Sequence, residues 1–250
     1  MSSACGSAKS GARLAPSVGD GVPRRQGGPA ALPPALRRPL GITAVLAAVV
    51  VAVLAVHLSG DTTAGWLDRW ASRSVEAQPS QPGTPAWLVA TVGDPLVTVV
   101  LDGLLAGAFL VLGRRRLAVV AIAGFGLTGV ATTLLKPVVD RTIHGHHLAY
   151  PSGHTAAGTV LALVAALLVV DRLRAGRLPG LLIVLTGAGA AGAAMGWSQV
   201  VLDVHYLTDT LGGFCTAVAV VPATALLVDR LAARRGGTEG FTTTKATVTR

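Results

Sequence analysis

The chain has 250 residues, of which 51% are hydrophobic and only 13% charged, with a mean hydropathy of +0.61. A soluble domain carries about 25% charged residues. Here the apolar residues run in blocks rather than at amphipathic spacing, which excludes an ordinary soluble protein. The net charge of +9 does not describe a nucleic-acid surface, because Lys and Arg stand in short clusters between apolar blocks, as topology signals do. Cys5 and Cys215 form neither a disulfide framework nor a metal-binding pair.

In chain order, residues 1–38 come first, a basic stretch rich in Gly, Ser, Ala and Pro. They show no apolar period and read as a disordered tail. The first apolar block begins only near Leu40, so this is no ordinary signal peptide. Six blocks follow, over about 40–58, 96–112, 117–135, 155–171, 178–197 and 207–228. Each is long enough, at about 1.5 Å per residue, to cross a hydrocarbon layer of roughly 30 Å. The second contains Asp102 and is the least regular. The fold class expected is all-α: a polytopic membrane helical bundle of about six transmembrane helices over residues 39–235. Residues 236–250 are polar, Thr-rich and expected to be a flexible tail.

The basic clusters set the topology. Arg37 and Arg38 precede the first block, Arg114, Arg115 and Arg116 the third, and Arg172, Arg174 and Arg177 the fifth. Arg230, Arg234 and Arg235 follow the sixth. If six spans alternate, all four clusters share one side, which the positive-inside rule makes cytoplasmic together with both termini. The other side receives residues 59–95, 136–154 and 198–206. The first of these carries Trp66, Trp70 and Trp87, suited to the membrane interface, and the loop signal QPSQPGTP. The other two hold most of the polar chemistry.

Five of the six histidines lie between His144 and His205. Histidine changes charge near neutral pH, and a bilayer protein rarely gathers such groups without use. In Pro151-Ser152-Gly153-His154 a loop ends and a helix begins. The free N–H groups and dipole of a helix start make an anion site, which Gly153 lets a phosphate approach closely. Ser152 either donates to that anion or caps the helix. His154 stands where an imidazolium could protonate a leaving oxygen; the plainer reading is a capped helix with an interfacial histidine. In SQVVLDVHYLTDTLGG, His205 and Asp209 are four apart, one helical turn if the sixth helix begins there. A carboxylate on one imidazole nitrogen leaves the other as a nucleophile; a buried His–Asp bond between helices is the alternative. Lys136 and Arg141 suit a phosphoryl group, or else snorkel to the interface. His144, His146 and His147 lack an acidic cluster, so no metal site is expected.

Lys136 with Arg141, then Pro151-Ser152-Gly153-His154, then Ser198, His205 and Asp209 together resemble the type 2 phosphatidic acid phosphatase superfamily of membrane lipid phosphatases. The resemblance covers roughly residues 90–228. It implies His205 as the nucleophile of a phosphohistidine, Asp209 as its orienting partner and His154 as general acid. Lys136, Ser152 and Gly153 would hold phosphoryl oxygens, with Arg141 in the place of an additional arginine. It implies no metal or cofactor, and a lipid phosphate substrate handled at the extracytoplasmic face of the cell membrane. Two positions depart from the family pattern. Ile143 and His144 stand where its first motif has arginine and proline, and Gln199 stands where its third has arginine. The pocket is therefore expected to hold fewer fixed charges, unless a protonated His144 or His146 makes up the loss. Two other readings remain open: a non-catalytic relative that binds phospholipid head groups, and an unrelated transporter using Asp102 and Asp209.

Overall fold

The computed structural model describes residues 28–75 and 81–247, with side chains as far as Arg235. Helices start where the sequence supplies proline and a cap. Pro34, Pro85 and Pro95 take first-turn positions, where a missing N–H is harmless. Thr84 Oγ1 accepts the Trp87 N–H at 3.3 Å, and Asp94 Oδ1 accepts the Leu96 N–H at 3.0 Å. In chain order the helices are α1 (Pro34–His57), α2 (Trp66–Ser74), α3 (Pro85–Val92), α4 (Pro95–Val111) and α5 (Arg115–Val139). A two-stranded antiparallel hairpin, β1 (Thr142–Ile143) and β2 (His147–Leu148), precedes α6 (Gly153–Arg172), α7 (Arg177–Val201) and α8 (Leu207–Thr247).

Five of these are long and apolar enough to cross a bilayer: α1, α5, α6, α7 and the Leu207–Arg235 part of α8. The block expected over 96–112 is α4, and it makes a sixth span only together with α3, at a bend of 56°. The break has a local cause. Pro95 has no N–H to continue a helix, and Asp94 caps a new start. Gly93 fits the bend closely: a Cβ there would lie 2.9 Å from Met195 Cε and 3.0 Å from the His154 carbonyl oxygen.

The start of the first helix also differs from expectation. α1 begins at Pro34, and Ala31 and Leu32 are buried with their N–H groups donated to Asp229 Oδ1 (2.9 Å) and Oδ2 (3.1 Å). Residues 31–38 are thus tied to α8 by a buried carboxylate, while residues 1–27 of the expected disordered tail lie outside the described residues. At the other terminus the α8 backbone continues past residue 236 to Thr247, and residues 248–250 lie outside the described ones.

α8 is the central helix, packing on α1, α5, α6 and α7. Leu36 and Leu40 of α1, Val120 of α5, Leu163 and Leu167 of α6, Val184 of α7 and Val221 of α8 share one buried cluster. The outer faces keep Val53, Leu104, Val130 and Leu182 exposed, as lipid-facing helices do. One end of the bundle is tied by arginines: Arg37 and Arg116 reach Asp229 at 3.4 and 3.2 Å, and Arg114 reaches Asp171 at 2.5 Å. The other end gathers the 59–65, 140–152 and 202–206 segments. There the Gly60 N–H donates to the Val139 carbonyl (2.8 Å), and the Ser152 N–H to the Asp209 carbonyl (2.9 Å).

That last bond needs α8 to come very close to the 150–152 loop. Gly212 and Gly213 allow it. A Cβ on Gly212 would strike the Tyr150 ring, and one on Gly213 would strike the Ser152 carbonyl oxygen, which is main chain and cannot rotate away. Gly213→Ala is therefore expected to lower stability by about 1–3 kcal/mol, as overpacking does, measured as a fall in melting temperature in detergent. An unchanged melting temperature would show that the two segments can separate freely.

Candidate active site

Local structure brings the site together. α5 ends at Val139, Asp140 turns left-handed (φ 53°), and the hairpin carries the chain back so that the Ala149 N–H donates to the Arg141 carbonyl (2.8 Å). Ser152 then starts α6, its Oγ accepting from the Thr155 N–H (3.4 Å) and the Thr155 hydroxyl (3.1 Å). His154 falls in the first turn of α6. On the far side α8 begins at Leu207, so His205 stands in the loop before it rather than on it. The Val204 and His205 N–H groups are held by the Gln199 carbonyl, at 3.1 and 3.4 Å.

Lys136, Gly153, His154 and His205 line a single cavity of about 370 Å³. Phe125, Thr128, Gly129, Thr132 and Thr133 continue its wall down one face of α5, with Pro95 and Ala157 opposite. From Lys136 to Phe125 the slot descends about 16 Å, at 1.5 Å per residue. Among the described residues that line it, Lys136 is the one lysine or arginine. His205 Nδ1 lies 3.7 Å from Asp209 Oδ2, adjacent but beyond hydrogen-bond length. The Asp209 carboxylate is buried. Its Oδ2 accepts the Tyr206 N–H (2.9 Å) and its Oδ1 accepts Arg141 Nη1 (2.6 Å).

Neither Arg141 nor Ser152 lines this cavity. Arg141 is fully buried and does not line the cavity. It donates to Asp209, to Asp68 Oδ2 (2.6 Å) and to Thr208 Oγ1 (2.5 Å), and lies over the Tyr206 ring at 4.7 Å. The reason is electrostatic: two buried carboxylates claim the guanidinium more strongly than an open cavity does. Ser152 is likewise buried and its hydroxyl is engaged in capping α6.

Asp68 was not legible as part of this site. It lies in α2 between Trp66 and Trp70, 73 residues from Arg141, in a segment that reads only as an interfacial loop. Its carboxylate is saturated by Arg141, the Thr208 N–H (3.0 Å), the Thr208 hydroxyl (2.8 Å) and the Gly65 N–H (3.2 Å). Burial pushes its pKa upward, but the Thr208 and Arg141 bonds outweigh burial and hold the carboxyl below the usual aspartate range.

The positions that depart from the family pattern are also resolved. Ile143 is buried in β1. His144 occupies the hairpin turn, its Nε2 2.8 Å from the Asp203 carbonyl oxygen, and His146 stacks on His147 at 4.0 Å. None of these histidines lines the cavity, so neither His144 nor His146 replaces the missing arginines there. Among the described residues no three His, Cys, Asp or Glu side chains converge as metal ligands. Gln199 is buried, its Nε2 donating to Ser198 Oγ (3.4 Å) while its Oε1 has no partner.

This arrangement places two imidazoles and a lysine on one slot between apolar helices. Comparison with known proteins is specific. The model of the PAP2 superfamily matches residues 117–232. A solved transmembrane PAP2-type phosphatidylglycerolphosphate phosphatase from Bacillus subtilis shares 21% identity and superposes with a TM-score of 0.54, over 79% of this chain and 96% of that one. No curated protein matches the sequence. Residues 117–232 thus match the PAP2-superfamily model, and the chain shares its fold with that solved transmembrane phosphatase.

Asp68→Asn tests the buried cluster. Because the folded-state pKa is depressed, the ionised carboxylate stabilises the fold above the unfolded value of about 3.9, and that contribution is lost as pH falls below it. At pH 7 the variant should lose about 3–5 kcal/mol, as when one partner of a buried pair is removed. The gap between variant and wild-type melting temperatures should narrow on acidification below about pH 4. A gap of constant size would show that the carboxylate's charge is not what holds the cluster.

Proposed function

We propose that this chain is an integral membrane phosphatase that hydrolyses a phosphomonoester or diphosphate of a lipid at the extracytoplasmic face through a phosphohistidine on His205. The observation that carries this reading is the shared cavity: His205, His154 and Lys136 face one space. The Asp209 carboxylate beside Nδ1 favours the tautomer whose Nε2 lone pair is free to attack phosphorus. His154 gives its proton to the departing alkoxide or phosphate. Water then attacks the phosphohistidine, loses its proton to His154, and releases phosphate and His205. Lys136 and the free N–H groups at the start of α6, beside Gly153, hold the phosphoryl oxygens. Arg141 acts through Asp209, not on the substrate.

The slot along α5 supports a lipid, because a head group at the mouth leaves its chain along the wall that runs from Thr133 to Phe125. Polyprenyl diphosphate, phosphatidic acid and phosphatidylglycerol phosphate are the candidates, the last also the substrate named for the Bacillus subtilis protein of the same fold. The arginine-tied end supports an extracytoplasmic site, since positive clusters favour the cytoplasm and the histidines are at the opposite end.

Phosphate release from this lipid panel, with the purified protein in detergent, is the test. His205→Ala and Asp209→Asn should abolish release, and His154→Ala should lower it by about 10²–10⁴-fold, with melting temperatures confirming that each variant is folded. Equal rates for wild type and His205→Ala would end the proposal. A second reading, a relative that binds head groups without turnover, draws on the scarcity of charge in the cavity. Gln199→Arg separates the two: turnover should rise if the site is only short of a cation, and a flat or lower rate would favour the binding role.

A further inference from the structure

A cavity of about 730 Å³, roughly twice the volume of the histidine cavity, lies at the opposite, arginine-bearing end. α5 runs from Arg116 at this cavity to Lys136 at the other, which puts about 30 Å of helix between them at 1.5 Å per residue. The two are separate sites.

Four guanidinium groups surround the upper cavity wall: Arg37 and Arg38 of α1, Arg116 of α5 and Arg230 of α8. Asp229 organises two of them. Its Oδ1 accepts the Ala31 N–H and Arg116 Nη1, and its Oδ2 accepts the Leu32 N–H and Arg37 Nη2. That buried carboxylate is fully occupied, so it fixes Arg37 and Arg116 without neutralising the ring. Among the described residues Arg38 and Arg230 have no ion-pair or hydrogen-bond partner. The ring therefore keeps a clear excess of positive charge and of unused N–H donors, the equipment for a phosphate.

Directly inward the wall turns apolar. Ile42, Val45 and Leu46 of α1 face Leu226 of α8. The cavity shares Gly41, Val45, Leu226 and Arg230 with a groove of about 310 Å³ between α1 and α8. The groove's walls are mostly small: Ala44, Ala48, Ala219 and Ala223. Between Arg230 and Ala219 it follows α8 for about 16 Å, at 1.5 Å per residue. A cationic mouth that opens onto a narrow apolar trough fits an amphiphile and not a soluble anion. The leading segment of the chain is a poor occupant, since it carries Lys9, Arg13, Arg24 and Arg25 against Asp20.

We propose that this end of the bundle binds one anionic phospholipid, its phosphate on the arginine ring and one acyl chain in the α1–α8 groove, independently of the histidine site. Such a lipid would clamp α1 to α8, the pair that Asp229 already joins.

The full chain, reconstituted in phosphatidylcholine nanodiscs with a minor fraction of phosphatidylglycerol and then transferred to detergent, is examined by native mass spectrometry for retained lipid. Phosphatidylglycerol is a phosphodiester, which the proposed phosphatase chemistry leaves intact. Wild type should retain one phosphatidylglycerol and no phosphatidylcholine. Arg38→Gln with Arg230→Gln should lower retention about tenfold or more, the worth of lost charged hydrogen bonds. Ala223→Phe should lower it by filling the groove with every arginine in place. His205→Ala should retain lipid as wild type does. The proposal is overturned if both groove and arginine variants retain lipid normally, if His205→Ala loses it, or if soluble glycerol phosphate displaces it as well as the lipid itself. Any of these outcomes leaves the phosphate-release assay, and the reading it tests, untouched.

Discussion

A single buried guanidinium holds the histidine-bearing end of this protein together. Arg141 joins Asp68 of α2, Asp209 and Thr208 of α8, and the ring of Tyr206, with none of its surface exposed. Burying an arginine is expensive unless its donors are met by well-placed acceptors. Here two carboxylates and a hydroxyl accept from Nη1 and Nη2, while the buried Nε–H has no partner among the described residues. The same contacts fix the first turn of α8, and with it the carboxylate that faces His205 Nδ1. The main chain completes the lock, because the Asp209 carbonyl accepts the N–H of Ser152, the residue that caps α6. The helix bearing His154 and the loop bearing His205 are thus set against one another through Asp209 from two directions.

This lock has a consequence for the cavity. A guanidinium spent on positioning is not available to an anion, so the cavity is left with Lys136 and whatever charge its two imidazoles carry. Gln199 adds nothing positive, and His144 and His146 are drawn away to the hairpin turn and to Asp203. The opposite end has the reverse balance. There Asp229 engages two arginines, and two more have no partner among the described residues, on a wall that leads into an apolar groove. Positive charge is abundant at one end of the bundle and sparse where the histidines stand.

The apolar blocks of the sequence correspond closely to α1, α4, α5, α6, α7 and α8, because a bilayer requires unbroken runs of apolar residues and tolerates few exceptions. The deviations have particular causes. Pro95 and Asp94 set α4 off from α3 at a 56° bend, and Asp229 recruits Ala31 and Leu32 from a stretch that looks featureless as sequence. The motif residues that share the cavity, Lys136, Gly153, His154 and His205, were legible because each is placed by a nearby helix end. Arg141 and Ser152 were legible as participants but not as to what they touch.

From the sequence alone follow the membrane-spanning helices, the segregation of arginines from histidines, and the candidate residues that come to line one cavity, since all three depend on local composition and short spacing. Only the tertiary structure could assign Arg141 to Asp68 rather than to the cavity. That pairing spans 73 residues, joins a short interfacial helix to a hairpin, and exists because burial makes a carboxylate the strongest partner within reach.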